Sequence, residues 1–233
     1  MIAEYNSLSS DMMKNSFSGR EYFLSGFLYL LLTKIECSFI IESMRMKDEN
    51  KKDAILSATI KMINEVGFSN VSMSKIAKAA GVSASTIYIY YENKEDMFQK
   101  IYIDVKTQML NASMKGISDT EPVSQSVRKF CKNVLNFARN HEDYFLFMGQ
   151  AGDSPVILSA HNEEIRELLQ KALAPFERGI REGVLKETSP ALLSGFCVYP
   201  ITQFYIDNCH QKDTFGDIDY EVVFDMCWDA IKK

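Results

Sequence analysis

From Lys51 the chain alternates apolar and charged positions at helical spacing. In KKDAILSATIKMINEVG, Ile55, Ala58, Thr59, Met62 and Val66 fall on one side and lysines on the other, which predicts an amphipathic helix stopped at Gly67. Phe68 and the loop-forming Ser69 and Asn70 lead to Ser72. There MSKIAKAAG predicts a second, shorter helix with Ile76, Ala77 and Ala80 inward, small enough to let a neighbouring helix come close. Gly81-Val82-Ser83 turns the chain within three residues, and Ser83 stands where it can cap a third helix.

The next stretch, TIYIYY, alternates β-branched and aromatic residues as a half-buried strand does. Its flanks decide the matter. A short helix, a Gly turn and a Ser cap in front, with Asn-Lys-Glu-Asp behind, predict a two-turn helix over 84–91. Ile87 and Tyr91 then share an inner face with Tyr90 beside them, while Ser85, Thr86 and Ile89 face out. Asn93 caps a fourth helix whose first turn carries Glu95 and Asp96, where the helix dipole favours acids.

Helical periodicity continues to the C-terminus. A linking helix is expected over 94–113. Another is expected over 121–140, with Val127, Phe130, Val134 and Phe137 in register. The aromatic-dense DYFLFMGQ comes next, from Asp143, then a long helix over 162–185 through Ile165, Leu168, Ala172, Phe176 and Ile180. Two apolar helices over 190–209 and 220–231 close the chain. With 233 residues, 46% of them hydrophobic, and only 11 Gly and 5 Pro, the composition fits an all-α protein with a proper core.

The first 44 residues stand apart. Residues 22–41 are apolar enough to raise a membrane span, but Lys34 and Glu36 interrupt them and leave a run over 22–32 too short to cross a bilayer. No small-residue cleavage site comes after it, which argues against a signal peptide. Met44 and Met46 directly precede the first well-formed helical pattern, so the preferred reading is that translation starts at one of them. The alternative is a membrane-associated helical interaction protein anchored by residues 22–41. The expected divisions are 1–44, a head over 45–98, and a helical body over 99–233.

Net charge is −5, yet residues 45–112 carry +2 between flanks of −2 and −5, and local charge is what matters to a DNA surface. Cys37, Cys131, Cys197, Cys209 and Cys227 are odd in number and show no C-x-x-C pair, which fits free thiols in a reducing cytoplasm. His141, His161 and His210 are too far apart in sequence for a metal motif, and no nucleophile, base and orienting group occur together. No catalytic residue, metal or cofactor is expected.

The run GFSNVSMSKIAKAAGVSASTIYIYYENKEDMF resembles the N-terminal helix-turn-helix of the tetracycline-repressor (TetR) family of bacterial transcription regulators. The likeness covers residues 51–98 and rests on Gly67-Phe68, Ser72, Ile76-Ala77, Ala80 to Ser83, Thr86 to Tyr88, Tyr90-Tyr91, Asn93 to Glu95 and Phe98. The remainder matches in length and helical character. The resemblance implies a DNA-binding head and a helical ligand-binding and dimerisation domain. The helix from Ser83 would enter the major groove with Ala84, Ser85, Thr86 and Ile89 near base edges or the thymine methyl. Tyr88 and Lys94 would meet phosphates, as would Ser72 at the cap of the second helix. Plainer readings compete: Tyr88 as core, Ser72 as a cap alone, Lys94 as a solvated charge.

Three positions depart from the family pattern. Ala84 and Ile89 replace commoner polar or basic residues, which leans base readout toward apolar and small contacts. Lys75 replaces an acid that would reciprocate the Ser72 cap and adds a candidate phosphate contact. The resemblance further implies a homodimer through the helices over 190–209 and 220–231, a double-stranded operator, and a small-molecule effector. Candidate effector-lining residues are Phe137, Phe147, Met148, Phe176, Tyr199, Gln203 and Phe204, each of which could equally be plain core. Ligand binding would swing the linking helix and release DNA, and repression and activation both fit.

Overall fold

The computed structural model describes residues 46, 48–151, 154–158, 163–210 and 219–233. The expectations for residues 1–44, the apolar run over 22–41 included, lie outside the described residues. The chain divides into two units, Met1–Asp53 and Ala54–Lys233. In the first, residues 46 and 48–53 are helical and exposed.

The second unit opens with α1, over 54–66. Its buried face is Ile55, Leu56, Thr59, Ile60 and Ile63. The expected face was Ile55, Ala58, Thr59, Met62 and Val66, and Val66 is instead 46% exposed. The helix is rotated by about one position because Leu56, Ile60 and Ile63 remove more apolar surface from water than Ala58 and Met62 would. Thr59 is fully buried at no cost in hydrogen bonds, since its hydroxyl donates to the Ile55 carbonyl at 2.7 Å.

A single 3₁₀ turn, Phe68–Asn70, carries the chain to α2, Met73–Ala79, which buries Met73, Ile76 and Ala77; Ala80, expected inward, is half-buried. Gly81 takes φ +68°, and this lets the Val82 amide reach back to the Ala77 carbonyl (3.0 Å) and the Gly81 amide to Lys78 (3.3 Å). Two residues later α3 begins, Ala84–Tyr90, then α4, Lys94–Ser113. The strand-like TIYIYY is helical through Tyr90, as its flanks predicted, and Tyr91, expected within the helix, is its extended cap.

The body continues with α5 (Val123–Asn140), α6 (Glu142–Ala151), α7 (Pro155–Leu158), α8 (Glu163–Arg181), α9 (Pro190–His210) and α10 (Tyr220–Ile231). Val127, Phe130, Val134 and Phe137 are all buried on α5 as their register required. The long helix expected to reach Leu185 stops at Arg181. Gly183 at φ +71° reverses the chain, with Val184 donating to the Gly179 carbonyl at 2.9 Å. Leu185 instead forms an antiparallel bridge with Lys232, tying the α8–α9 connection to the C-terminus.

Two cores result. One gathers α1 to α3 and the first half of α4, and it continues into Phe147, Ala151 and Ile157 of α6 and α7. The other lies among the end of α4, α5, α8, α9 and α10 around Phe130, Phe176 and Phe224. The helix α4 contributes to both, as Ile101 and Val105 to the first and Leu110 to the second. Among the described residues, no helix is long and apolar enough to cross a membrane.

Close packing can be tested at two glycines. A Cβ on Gly179 would stand 2.5 Å from Leu185 Cδ1 and 2.9 Å from Val123 Cγ1, both on buried side chains that have nowhere to go. Gly149, on α6, has nothing within 4 Å of that position. Gly179→Ala should cost about 1–3 kcal/mol in urea unfolding. Gly149→Ala should be neutral or stabilise by up to about 1 kcal/mol through helix propensity.

Candidate nucleic-acid interface

Seven residues make α3, and a helix that short is marginal by itself. Its orientation comes from what surrounds it. At the start, the Ser83 hydroxyl accepts from the Thr86 amide at 3.1 Å and lies 2.7 Å from Ser85 Oγ and 2.8 Å from Thr86 Oγ1, so three hydroxyls close on one another. On the inner face Ile87 is fully buried and Tyr91 is 3% exposed. Burial, and after it the nearby charges of Asp104 and Asp96, pushes the Tyr91 phenol up to about 12. The outer face then carries Ala84, Ser85, Tyr88 and Ile89, the last two 56% and 76% exposed.

The flanking cations are held in place by neighbours. Lys94, at the start of α4, sets its ammonium 4.2 Å from the centre of the Phe68 ring, a cation–π contact that fixes where the charge points. Ser72 is an exposed cap whose hydroxyl accepts from the Lys75 amide at 3.4 Å. Lys75 folds its ammonium back onto the Asn70 carbonyl at 3.2 Å. The residues Ser72, Lys75, Ser83, Ala84, Ser85, Thr86, Tyr88, Ile89 and Lys94 thus lie at the start of α2, on α3 and its cap, and at the entry to α4.

The entry to α4 is capped in both directions. Asn93 accepts from the Asp96 amide at 2.8 Å, and Asp96 accepts from the Glu92 amide at 2.9 Å. Desolvation alone would raise the Asp96 carboxyl, but hydrogen bonds from Lys100 and from the Glu92 amide outweigh it and hold it below its usual value. Lys100 in turn lies 5.9 Å from the Tyr91 ring centre. One carboxylate therefore joins the end of α3 to the first turns of α4.

The seven effector candidates are dispersed. Phe147 is fully buried in the first core with half-buried Met148 against it, while Phe176 is fully buried in the second. Phe137 is buried on α5 with its ring 4.8 Å from His141. Tyr199, Gln203 and Phe204 stand on the exposed side of α9, Tyr199 at 76%. The residues that sequence reasoning missed are the exposed apolar side chains of the last two helices: Leu192 and Phe196 alongside Tyr199, and Val222 and Met226 on α10. Their spacing of four, three and again four was a readable helical stripe, hidden on α9 because that helix is apolar on every side and on α10 because Val222 and Met226 lie beside the exposed acids Glu221, Asp225 and Asp229. Also unforeseen were two polar ties from the head to the body, Asn64 to the Asp143 carbonyl and Gln99 to the Val156 carbonyl, both 2.8 Å.

Comparison with known proteins gives the family and the fold. The profile of the bacterial regulatory proteins of the tetR family matches residues 55–101, and that of the tetracyclin repressor-like C-terminal domain matches residues 122–232. The chain is similar to the uncharacterized HTH-type transcriptional regulator YhgD of Bacillus subtilis (strain 168), at 26% identity over 146 residues, covering 61% of this chain and 76% of that one. It is similar to the HTH-type transcriptional regulator RutR of Escherichia coli (strain K12), at 24% identity over 190 residues, covering 78% and 87%. Among solved structures, a TetR family transcription regulator from Marinobacter aquaeolei VT8 superposes with a TM-score of 0.71 at 27% identity, covering 81% of this chain and 99% of that one.

The capping carboxylate gives a pH test. Because its folded value is depressed, Asp96 contributes stability above the ordinary carboxylate range near pH ~4 and loses it as pH falls through the lower folded value. Asp96→Asn should lower stability at pH 7 by less than about 1 kcal/mol, and thermal unfolding of the two proteins should converge as the pH falls below the ordinary carboxylate range.

Proposed function

The chain belongs to the tetR family of bacterial regulatory proteins, which are transcriptional regulators and not enzymes, and on that premise we propose that it is a ligand-released repressor gripping a palindromic operator as a homodimer. The observation that carries this reading is the exposed outer face of α3, kept outward by the burial of Ile87 and Tyr91. In it α3 lies in the major groove with Ala84, Ser85, Thr86 and Ile89 toward base edges. The Tyr88 hydroxyl and the Lys94 ammonium meet phosphates on either side, and Ser72 and Lys75 extend the backbone contact from α2. Such a protein works beside the chromosome, in the bacterial cytoplasm.

Dimerisation is supported by the stripe Leu192, Phe196 and Tyr199 on α9 with Val222 and Met226 on α10. It leaves a large apolar surface in water that a two-fold copy would cover. A single two-turn reading helix buries little, so two half-sites are needed to multiply specificity. Effector control is supported by the aromatic series from head to body: Phe68 to Phe98 at 4.3 Å between ring centres and Phe98 to Phe147 at 5.6 Å. An effector bound among α5, α6, α8 and α9 shifts α6, tilts α4, and moves the two reading heads out of step with successive grooves. A coupling of about 1–3 kcal/mol lowers occupancy about five- to 150-fold.

Fluorescence anisotropy of the full chain, on DNA upstream of its own gene and on duplexes selected from a random pool, tests the reading across a salt series. Tight binding that resists competitor DNA is expected. Lys94→Ala should make the log–log salt slope shallower by about 1 per protomer, and Tyr88→Phe should weaken all sites alike by about tenfold. Binding no tighter than to random DNA, with no sequence enriched by selection, would overturn it. The dimer has its own test: Tyr199→Glu with Met226→Glu should sediment as a monomer and lose operator affinity while keeping its helical content.

A further inference from the structure

We propose that Ile89 reads the C5-methyl group of a pyrimidine, so that each operator half-site carries a thymine opposite it and binding depends on that methyl. The inference rests on the reading of α3 as the helix that enters the major groove, and it names what that helix recognises.

Four observations converge. Ile89 is 76% exposed, whereas Ile87 two positions away is fully buried. An isoleucine this open gains little from burial within the protomer and has most of its aliphatic surface to offer a partner. The helix, ASTIYIY, contains no Arg, Lys, Asn or Gln, the side chains that read guanine and adenine through paired hydrogen bonds. Its small polar groups are already drawn toward the cap, Ser83 lying 2.7 Å from Ser85 Oγ and 2.8 Å from Thr86 Oγ1, so they offer a base single hydroxyl contacts and none of the paired hydrogen bonds that identify a purine. The flanking cations are held off α3, Lys94 over the Phe68 ring and Lys75 on the Asn70 carbonyl.

The major-groove feature left for such a surface to read is apolar. Thymine projects a methyl group there, cytosine and uracil do not, and 5-methylcytosine projects the same one. An aliphatic side chain meeting that methyl removes both from water without requiring any hydrogen bond to be rearranged. Recognition at this position is therefore by methyl presence, independent of the hydrogen-bonding edge of the base.

The experiment starts from duplexes selected by the full chain. Each thymine is replaced in turn by deoxyuridine, symmetrically in both half-sites, and binding is measured for the native protein and for Ile89→Ala. One position should lose about fourfold per half-site, about 15-fold for the symmetric pair, as expected for one methyl group withdrawn from a contact. In Ile89→Ala the affinity for the thymine duplex should fall and the uracil penalty at that position should disappear. A C·G pair placed there should bind more tightly when the cytosine is methylated. Because Ile89 is exposed, the variant should unfold at the native temperature. A selected operator bound with equal affinity whichever thymine is replaced, or a uracil penalty that persists in Ile89→Ala, would overturn the proposal and leave operator binding intact. Selection that enriches no sequence would remove the operator reading and this one together.

Discussion

Isolated helices shorter than about 12–15 residues are marginal in water, so the seven residues of α3 owe their shape to what holds them from behind. That support is the pair Ile87 and Tyr91, sunk into a core whose other walls are Ile55, Ile60 and Ile63 of α1, Ile76 and Ala77 of α2, and Phe98 of α4. With those two side chains fixed, the remaining positions of α3 have no choice of direction. Ala84, Ser85, Tyr88 and Ile89 face outward because a helix with about 3.6 residues per turn leaves them nowhere else. The exposed surface of α3 is in this sense a product of its buried one, and everything that touches DNA in the proposed mode depends on it.

The same core does not end with the head. Phe98 packs against Phe68 on one side and edge-on against Phe147 of α6 on the other, and Gln99 and Asn64 add hydrogen bonds to the 143–156 region. Tightly packed side chains transmit displacement because there are few voids to absorb it. A movement of α6 would be felt in the first turn of α4, where Lys94 is held over Phe68 and Asp96 joins α4 to the end of α3. The charge expected to touch a phosphate and the ring that meets the body are thus neighbours in a single packed series. The C-terminal half of α4 belongs to the other core through Leu110, so one continuous helix is shared by both.

Local signals were legible where they were local. Ser72, Ser83 and Asn93 are caps, Gly81 is the reversal between α2 and α3, and α4 and α10 begin and end where their patterns predict, because caps and glycine turns act through bonds a few residues long. The flanks overrode the strand propensity of TIYIYY for the same reason. One local signal was missed, the Gly183 reversal that ends α8 at Arg181, and the other failures were judgements about faces. On α1 the stripe through Val66 and the one through Ile63 differ by one position, and only the volume of Ile60 and Leu56 against the rest of the core selects between them. On α9 apolar residues occur all round, so periodicity could not separate inside from outside; on α10 the acids Glu221, Asp225 and Asp229 mark the solvent side, but not that Met226 beside them is 70% exposed while Phe224 is buried. The effector candidates suffered from the same blindness: an aromatic at helical spacing reads alike whether it fills a core, as Phe176 does, or stands in solvent, as Tyr199 does.

Charge bears on how the proposed apolar contact would suit this chain. At −5 the chain as a whole is repelled by DNA, and of its three segments only 45–112 is positive, by two. Non-specific affinity comes from neutralised phosphates, and a head with so small a positive excess has little of it. Sequence-specific contacts must then supply a larger share of the total. For an acidic regulator this has an advantage, because weak attachment to the rest of the chromosome raises the ratio of specific to non-specific binding that governs occupancy in a cell. Shape and methyl contacts, which are insensitive to salt, fit that regime better than additional lysines would, since each lysine would strengthen the operator and its competitors alike.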